Sequence, residues 1–240
     1  MVFLLLAGCG PRLGDHCVTT RAPGGDIRDF TTREMQHGRS VNEAIYFSVL
    51  GEPAALATNV YEDGLWVSQS FNDYPTLDEP TRETVLEWDA EERVVSREVI
   101  SLPEGTSEGS FTYTWEGDRL VSTHSETLFT TWDETWSWSG DTATIERVFL
   151  GGRVVVEIRE YASSPLSWPL LNPDRDLPGL AFLSIGVDDD ASGRIEEGER
   201  IWEQELDENG IPSFSRFFDA TGAVFSQIEW GACPEAPGPA

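Results

Sequence analysis

Between Phe111 and Tyr161 the chain repeats one short device, and that repetition leaves few folds open to it. In FTYTW, Phe111, Tyr113 and Trp115 alternate with Thr112 and Thr114, the period of two that gives a strand one apolar and one polar face. Glu116-Gly117-Asp118 follows, with a glycine free to take the left-handed backbone of a tight turn, and Arg119-Leu120-Val121 starts a returning strand. The arrangement recurs at Trp138-Ser139-Gly140-Asp141 and at Leu150-Gly151-Gly152-Arg153, which opens onto Val154, Val155, Val156 and Ile158. Hairpins in series make a meander. The expected fold is therefore all-β: an antiparallel meander forming a curved sheet or open barrel, as a single domain.

Further copies flank this stretch. Tyr61-Glu62-Asp63-Gly64-Leu65-Trp66 and Trp88-Asp89-Ala90-Glu91-Glu92-Arg93-Val94-Val95 precede it; Leu206-Asp207-Glu208-Asn209-Gly210-Ile211 and Phe218-Asp219-Ala220-Thr221-Gly222-Ala223-Val224 follow. Each sets an aromatic or apolar residue at the end of one strand, acidic and small residues in the turn, and an apolar residue at the next start. These units resemble the YD or RHS class of repeat, from about Tyr61 to Trp230, with irregular spacing and with Trp or Phe mostly in place of Tyr. The resemblance implies long antiparallel meanders and brings no catalytic residue with it. The meander is also similar, in architecture alone, to the curved sheets of bacterial lipoprotein carriers that shelter an acyl chain.

Upstream, TTREMQHG (Thr31 to Gly38) suits a short helical turn. Ser40 and Glu43 stand at capping-box spacing, but Ile45, Tyr46, Phe47 and Val49 are β-formers ahead of Gly51-Glu52-Pro53, so a strand is expected there. Four prolines interrupt the pattern between Ser163 and Gly179, which reads as a long loop or a seam between sub-sheets. Its Trp168, Leu170 and Leu171 are expected to pack on the core, the alternative being a lid or plug.

The formal charge is -27, and all sixteen basic residues are Arg. Phosphate binding needs a basic stripe that this chain lacks, so nucleic acid is excluded as a partner. The acidic surface is read as a solvated face.

The opening MVFLLLAGC ends in Leu6-Ala7-Gly8-Cys9, which resembles the lipobox of bacterial lipoproteins. The resemblance implies cleavage before Cys9 and acylation of that cysteine, anchoring the chain to a membrane through several acyl chains. Gly10 in place of Asp points, by the same resemblance, to the outer membrane. The apolar run from Val2 to Leu6 is short for a signal peptide, and the reading taken is a start codon placed too late. Organisation is expected as residues 1–8 a truncated signal segment, 9–30 a tether, 31–233 the β-meander and 234–240 a disordered tail. Cys17 and Cys233 remain, one near each end, and an exported compartment permits a disulfide between them. Closing so long a loop stabilises by roughly 5 kcal/mol at most on the chain-entropy model.

VDDDASGRIEEGE is the sharpest constellation. Asp188, Asp190, Ser192, Gly193, Ile195 and Glu199 occupy positions 1, 3, 5, 6, 8 and 12 of an EF-hand loop, with the Arg194 carbonyl at position 7 and Glu196 at position 9. The candidate ligands for a structural Ca²⁺ are Asp188, Asp190, Ser192, Arg194 and Glu199. The flanks read as strands, so a plain hairpin competes with calcium on equal terms. Gly105-Thr106-Ser107-Glu108-Gly109 matches GxSxG, but Pro103 before it and a strand after it make it a hairpin loop rather than a nucleophile elbow. His124 lacks a visible acid or nucleophile partner, and His16 beside Cys17 has no further ligands at zinc spacing. Trp132, Trp136 and Trp138 share one strand face with Glu134, as core before ligand platform.

The function expected is that of a non-catalytic cell-envelope lipoprotein, a binding or scaffold module with a protein partner of the envelope. The alternatives are a carrier of a lipid or acyl chain within the curved sheet, a structural calcium-binding protein, and an enzyme built around His124.

Overall fold

The computed structural model describes residues 16–36, 39–47, 53–163, 180–196, 198–207 and 212–232. They form sixteen strands: β1 (His16–Arg21), β2 (Ile27–Gln36), β3 (Arg39–Phe47), β4 (Pro53–Glu62), β5 (Leu65–Asp73), β6 (Arg82–Trp88), β7 (Val94–Ser101) and β8 (Thr106–Glu116). The second half comprises β9 (Arg119–Thr127), β10 (Thr131–Ser139), β11 (Thr142–Phe149), β12 (Val154–Ser163), β13 (Leu180–Val187), β14 (Arg200–Leu206), β15 (Pro212–Phe218) and β16 (Val224–Ala232). Every strand pairs antiparallel with its chain neighbours, and β1 pairs with β16, so the meander is a closed barrel.

The antiparallel meander is as expected, but it closes fully where a curved sheet or open barrel was foreseen. The seam runs from His16↔Ala232 to Arg21↔Gln227, and Arg21 Nε bonds Glu229 Oε2 at 2.8 Å across it. A closed sheet has no edge to protect. Two expectations upstream are corrected. Residues 16–21, assigned to the tether, are the strand that closes the barrel, and the helical turn foreseen after Thr31 is the body of β2. Ile27, Phe30, Thr31 and Thr32 are β-formers, and pairing on both sides holds them extended. The strand expected on Ile45, Tyr46, Phe47 and Val49 is the end of β3, which starts earlier, at Arg39, while residues 48–50 lie outside the described residues.

Strand direction alternates around the ring, so the even-to-odd turns gather at one rim, here the near rim, together with the start of β1 and the end of β16. The odd-to-even turns form the far rim. At the near rim the ladders between successive hairpins stop early, at Asn42↔Thr58, Ser68↔Val85, Ser96↔Thr112 and Ser122↔Thr135. Beyond each stop an aromatic side chain takes over. Tyr61 Oη donates to the Ser40 carbonyl at 3.0 Å, and the indole N–H groups of Trp88, Trp115 and Trp138 donate to the carbonyls of Trp66, Val94 and Leu120, each at 2.8 Å. A bulge directly precedes Tyr61, Trp88 and Trp115 and re-aims each ring. The aromatic of each hairpin copy thus replaces a missing rung.

Register partners share a face, and this fixes the polarity of the wall. Tyr113, Thr123, Glu134, Trp136, Ile145, Glu157 and Arg159 are buried on one side; Thr112, Thr114, His124, Glu126, Asp133, Thr135, Ser137 and Glu146 are exposed on the other. The buried cluster of Trp66, Leu86, Val94, Tyr113, Leu120, Trp136, Ala143, Ile145, Tyr161 and Trp202 lines the inner side from β5 to β14.

Candidate functional site

The inner wall of β10, β11 and β12 carries a connected set of largely buried charged groups. Glu134 Oε1 accepts from Arg147 Nε at 2.7 Å and from Trp132 Nε1 at 3.3 Å, while its Oε2 accepts from Trp136 Nε1 at 3.3 Å. Arg147 also lies 3.7 Å from Glu157, which is hydrogen-bonded by Arg159. Burial works against the Arg159 charge, but Glu157, Tyr161 and Glu134 outweigh it and raise its pKa above the usual arginine range. Its guanidinium rests 4.9 Å from the Trp136 ring centroid. Ala143, the register partner of Arg159, is small enough for Trp138 and Tyr161 to meet across it with centroids 5.5 Å apart.

The face shared by Trp132, Glu134, Trp136 and Trp138 is as the sequence implies. Arg147, Glu157 and Arg159 were not foreseen as its neighbours. In VVVEIREY the apolar alternates Val154, Val156 and Ile158 look like the core face, yet Glu157, Arg159 and Tyr161 point inward. What covers Ile158 is the β13–β14 loop. Gly186, its partner in register, leaves room for Ile195, whose side chain stands 2.7 Å from where a Cβ on Gly186 would be.

That loop is the acidic constellation. The carboxylates of Asp188, Asp190 and Glu199 each offer an oxygen within 4.8 Å of the others. Ser192 N–H donates to Asp188 Oδ1 and to Asp190 Oδ1, both at 2.9 Å, and Gly193 N–H to Asp188 Oδ2 at 2.9 Å. Glu199 accepts from Asp189 N–H at 3.0 Å and from Glu196 N–H at 2.8 Å, tying the last position of the loop to its first half. Ser192 Oγ donates to the Arg194 carbonyl at 3.2 Å. All five sequence-assigned groups therefore belong to one folded turn, flanked by strands.

His124 stands on the outer wall, half exposed, with Nδ1 2.7 Å from Asp133 Oδ1. Asp133 is its register partner, a relation that alternation alone does not reveal. Gly105 to Gly109 runs from the β7–β8 turn into β8, without the strand-to-helix bend of a nucleophile elbow. Cys17 is fully buried opposite Gly231 and is disulfide-bonded. Cys9, Cys233 and the segment with Trp168, Leu170 and Leu171 lie outside the described residues.

No family model matches the sequence, and no curated protein matches it. Among solved structures the chain is similar to a porin-like protein from Bacteroides uniformis ATCC 8492, at 9% identity and a TM-score of 0.47, covering 91% of this chain and 97% of that one. It is also similar to part of a TcdB2-TccC3-Cdc42 structure, at 11% identity and a TM-score of 0.27, covering 90% of this chain but 12% of that one. At these TM-scores the likeness says nothing of what the chain does.

Proposed function

We propose that this chain is a non-catalytic barrel lipoprotein of the bacterial cell envelope, a binding or scaffold module that stands in water and is held to the outer membrane by acyl chains on Cys9. The observation that carries the reading is the polarity of the wall. A barrel that spans a bilayer turns an apolar band outward and keeps a polar interior. Here β8 to β11 turn Thr112, Thr114, Glu126, Asp133, Thr135, Ser137 and Glu146 outward, where a spanning barrel would carry its apolar band, while the inner side mixes Tyr113, Trp136 and Ile145 with Thr123 and the paired Glu134 and Arg147. Among the described residues, no helix is long and apolar enough to cross a membrane either. Attachment therefore falls to the lipobox cysteine.

The chemistry-bearing groups support a non-catalytic role. Glu134 and Glu157 are neutralised by Arg147 and Arg159, and Asp89 and Asp219 each accept backbone N–H groups in their own turns. His124 sits on a convex wall with Asp133. The aromatic inner side keeps an acyl-chain carrier as the alternative. Cys233, two residues beyond the register partner of Cys17, is the proposed disulfide partner.

The test is lipid labelling in a two-membrane bacterium. Expressed behind a complete signal peptide, the chain should take up radiolabelled palmitate and sediment with outer membranes, and Cys9→Ser should abolish both. An unlabelled, freely soluble wild-type chain would refute the anchor.

A second reading concerns calcium, favoured by the convergence of Asp188, Asp190 and Glu199 at positions 1, 3 and 12. Hard oxygen donors around a glycine bend suit Ca²⁺, and Ile195 seated over Gly186 pins the loop to the wall. With strands on both sides the ion would brace the loop rather than switch a helix pair. Calcium should raise the melting temperature and a chelator should reverse the rise, with no such response in Asp190→Asn. Identical melting with and without calcium would remove the site.

A further inference from the structure

The far rim carries one turn whose residues neither turn chemistry nor packing explains. β9 and β10 are joined across Leu128 and Phe129. The turn is clamped: Thr127 N–H donates to the Thr130 carbonyl at 2.9 Å, Thr130 N–H donates to Thr127 Oγ1 at 3.2 Å, and Leu128 N–H reaches the Glu108 carbonyl at 3.1 Å. Tight turns favour Gly, Asn, Asp, Ser or Pro. Here Leu128 is 61% exposed and Phe129 94%, so folding gains almost nothing from them.

The neighbouring turn repeats the anomaly. Leu150, 82% exposed, opens the β11–β12 connection, and its N–H donates to the Thr131 carbonyl at 2.8 Å, so the two turns lie side by side. Val148 and Val154, also exposed, are paired on the outer wall just behind it. The segments Thr127 to Trp132 and Val148 to Val156 contain no Asp or Glu and one basic residue, Arg153, in a chain with 43 acidic residues. Every other described far-rim connection carries acid: Asp26, Asp78 and Glu79, Glu104, Asp188 to Asp190, and Asp219. Carboxylates flank the two turns rather than enter them: Glu108 on β8 beside Leu128, Asp188 where its N–H meets the Val156 carbonyl, and Glu126 and Asp133 on the wall below, Asp133 bound to His124.

We infer that Leu128, Phe129 and Leu150 form a membrane-contacting tip that enters the interfacial region of a lipid bilayer. The tip is convex, formed by two projecting turns, which suits a soft apolar layer rather than a groove-seeking peptide. Its clamped backbone presents the side chains at the rim, and the absence of carboxylates from the two turns themselves spares the cost of pressing charge against low dielectric at the tip. A net charge of -27 elsewhere sets the preference for zwitterionic over anionic lipid. β9 is eight strands from β1 either way around the ring, and the tip is at the opposite rim from the start of β1.

The full chain carrying Cys9→Ser, which cannot be acylated, is mixed with phosphatidylcholine vesicles and sedimented. It should bind, and more weakly when phosphatidylglycerol is included. Phe129→Ser with Leu150→Ser should weaken binding at least about tenfold with the melting temperature unchanged. Phe129→Trp should keep binding, and its added emission should be quenched by lipids brominated in the upper acyl chain. Absence of sedimentation, sedimentation indifferent to the double substitution, or a tip that instead drives the chain to self-associate would each overturn the inference.

Discussion

The indole N–H of Trp115 donates to the main-chain carbonyl of Val94 at 2.8 Å, three residues past the point where the β7–β8 ladder stops. Trp88 and Trp138 do the same for Trp66 and Leu120, and Tyr61 does it for Ser40 with its hydroxyl. Four side-chain stitches thus join five successive hairpins at one rim where backbone pairing fails. A carbonyl left unpaired there would carry a desolvation penalty, which explains an aromatic with a polar tip rather than Phe or Leu at each of these places.

Tyr61→Phe removes only the donor of one such stitch. The Ser40 carbonyl loses that partner but keeps Asn59 Nδ2 at 3.0 Å, so the expected cost is at most about 1 kcal/mol, read as a lower urea midpoint with unchanged slope. Combined with Trp138→Phe, far around the ring, the two losses should add, because the sites share no partner. A destabilisation equal to that of one substitution alone would show that the stitches are not independent supports.

Gly186→Ala tests how the acidic loop is seated. A Cβ there would stand 2.7 and 2.9 Å from the Ile195 side chain and 3.1 Å from the Glu199 carbonyl. The expected destabilisation is about 1–3 kcal/mol. Adding Ile195→Ala should restore part of it, the backbone contact with Glu199 remaining. Full stability in Gly186→Ala alone would mean that Ile195 does not dock on the wall.

Glu134→Ala strands Arg147 and two indole N–H groups on the inner wall. Breaking a buried pair costs roughly 3–5 kcal/mol, an upper range here because Arg147 keeps some solvent contact and lies near Glu157. Thermal melting is the readout. A change within that of an exposed-site control, Glu146→Ala, would place Glu134 in water rather than inside.

The turn carboxylates give a pH signature. Asp219 accepts from Thr221 Oγ1, Thr221 N–H and Ala223 N–H, which lowers its pKa below the ordinary 3.8. For Asp89, burial raises the pKa, but Arg93 and the backbone N–H groups of Arg93 and Glu91 outweigh it and bring it below 3.8. A depressed carboxyl contributes stability that is present above its unfolded value and lost as pH falls through the folded one. Asp219→Asn should therefore be less stable than wild type at pH 7, and the gap should shrink below pH about 3.8. A gap that persists undiminished at the acid end would exclude the carboxylate as its cause.

Much of the wall was legible in the chain itself, because alternation and glycine turns are local. FTYTW, Trp138-Ser139-Gly140-Asp141 and Phe218-Asp219-Ala220-Thr221-Gly222 state their hairpins plainly. Closure was not legible. HCVTTR of β1 reads as part of a tether because it sits in a Gly-, Pro- and Arg-rich stretch, and its partner in β16 lies more than two hundred residues away. The inward turn of Glu157 and Arg159 was hidden by Val154, Val156 and Ile158, whose outward face is relieved by Ile195 from a distant loop. The EF-hand spacing identified which carboxylates meet.

Polarity of the barrel is the claim from which the functional reading follows, and tryptophan emission reports it most directly. The full chain with Cys9→Ser, purified without detergent, should run as a folded species with blue-shifted emission poorly quenched by acrylamide, shifting red on unfolding in urea. A chain that needs detergent to stay in solution, or whose indoles are freely quenched while it is folded, would mean that the aromatic side of the wall faces outward.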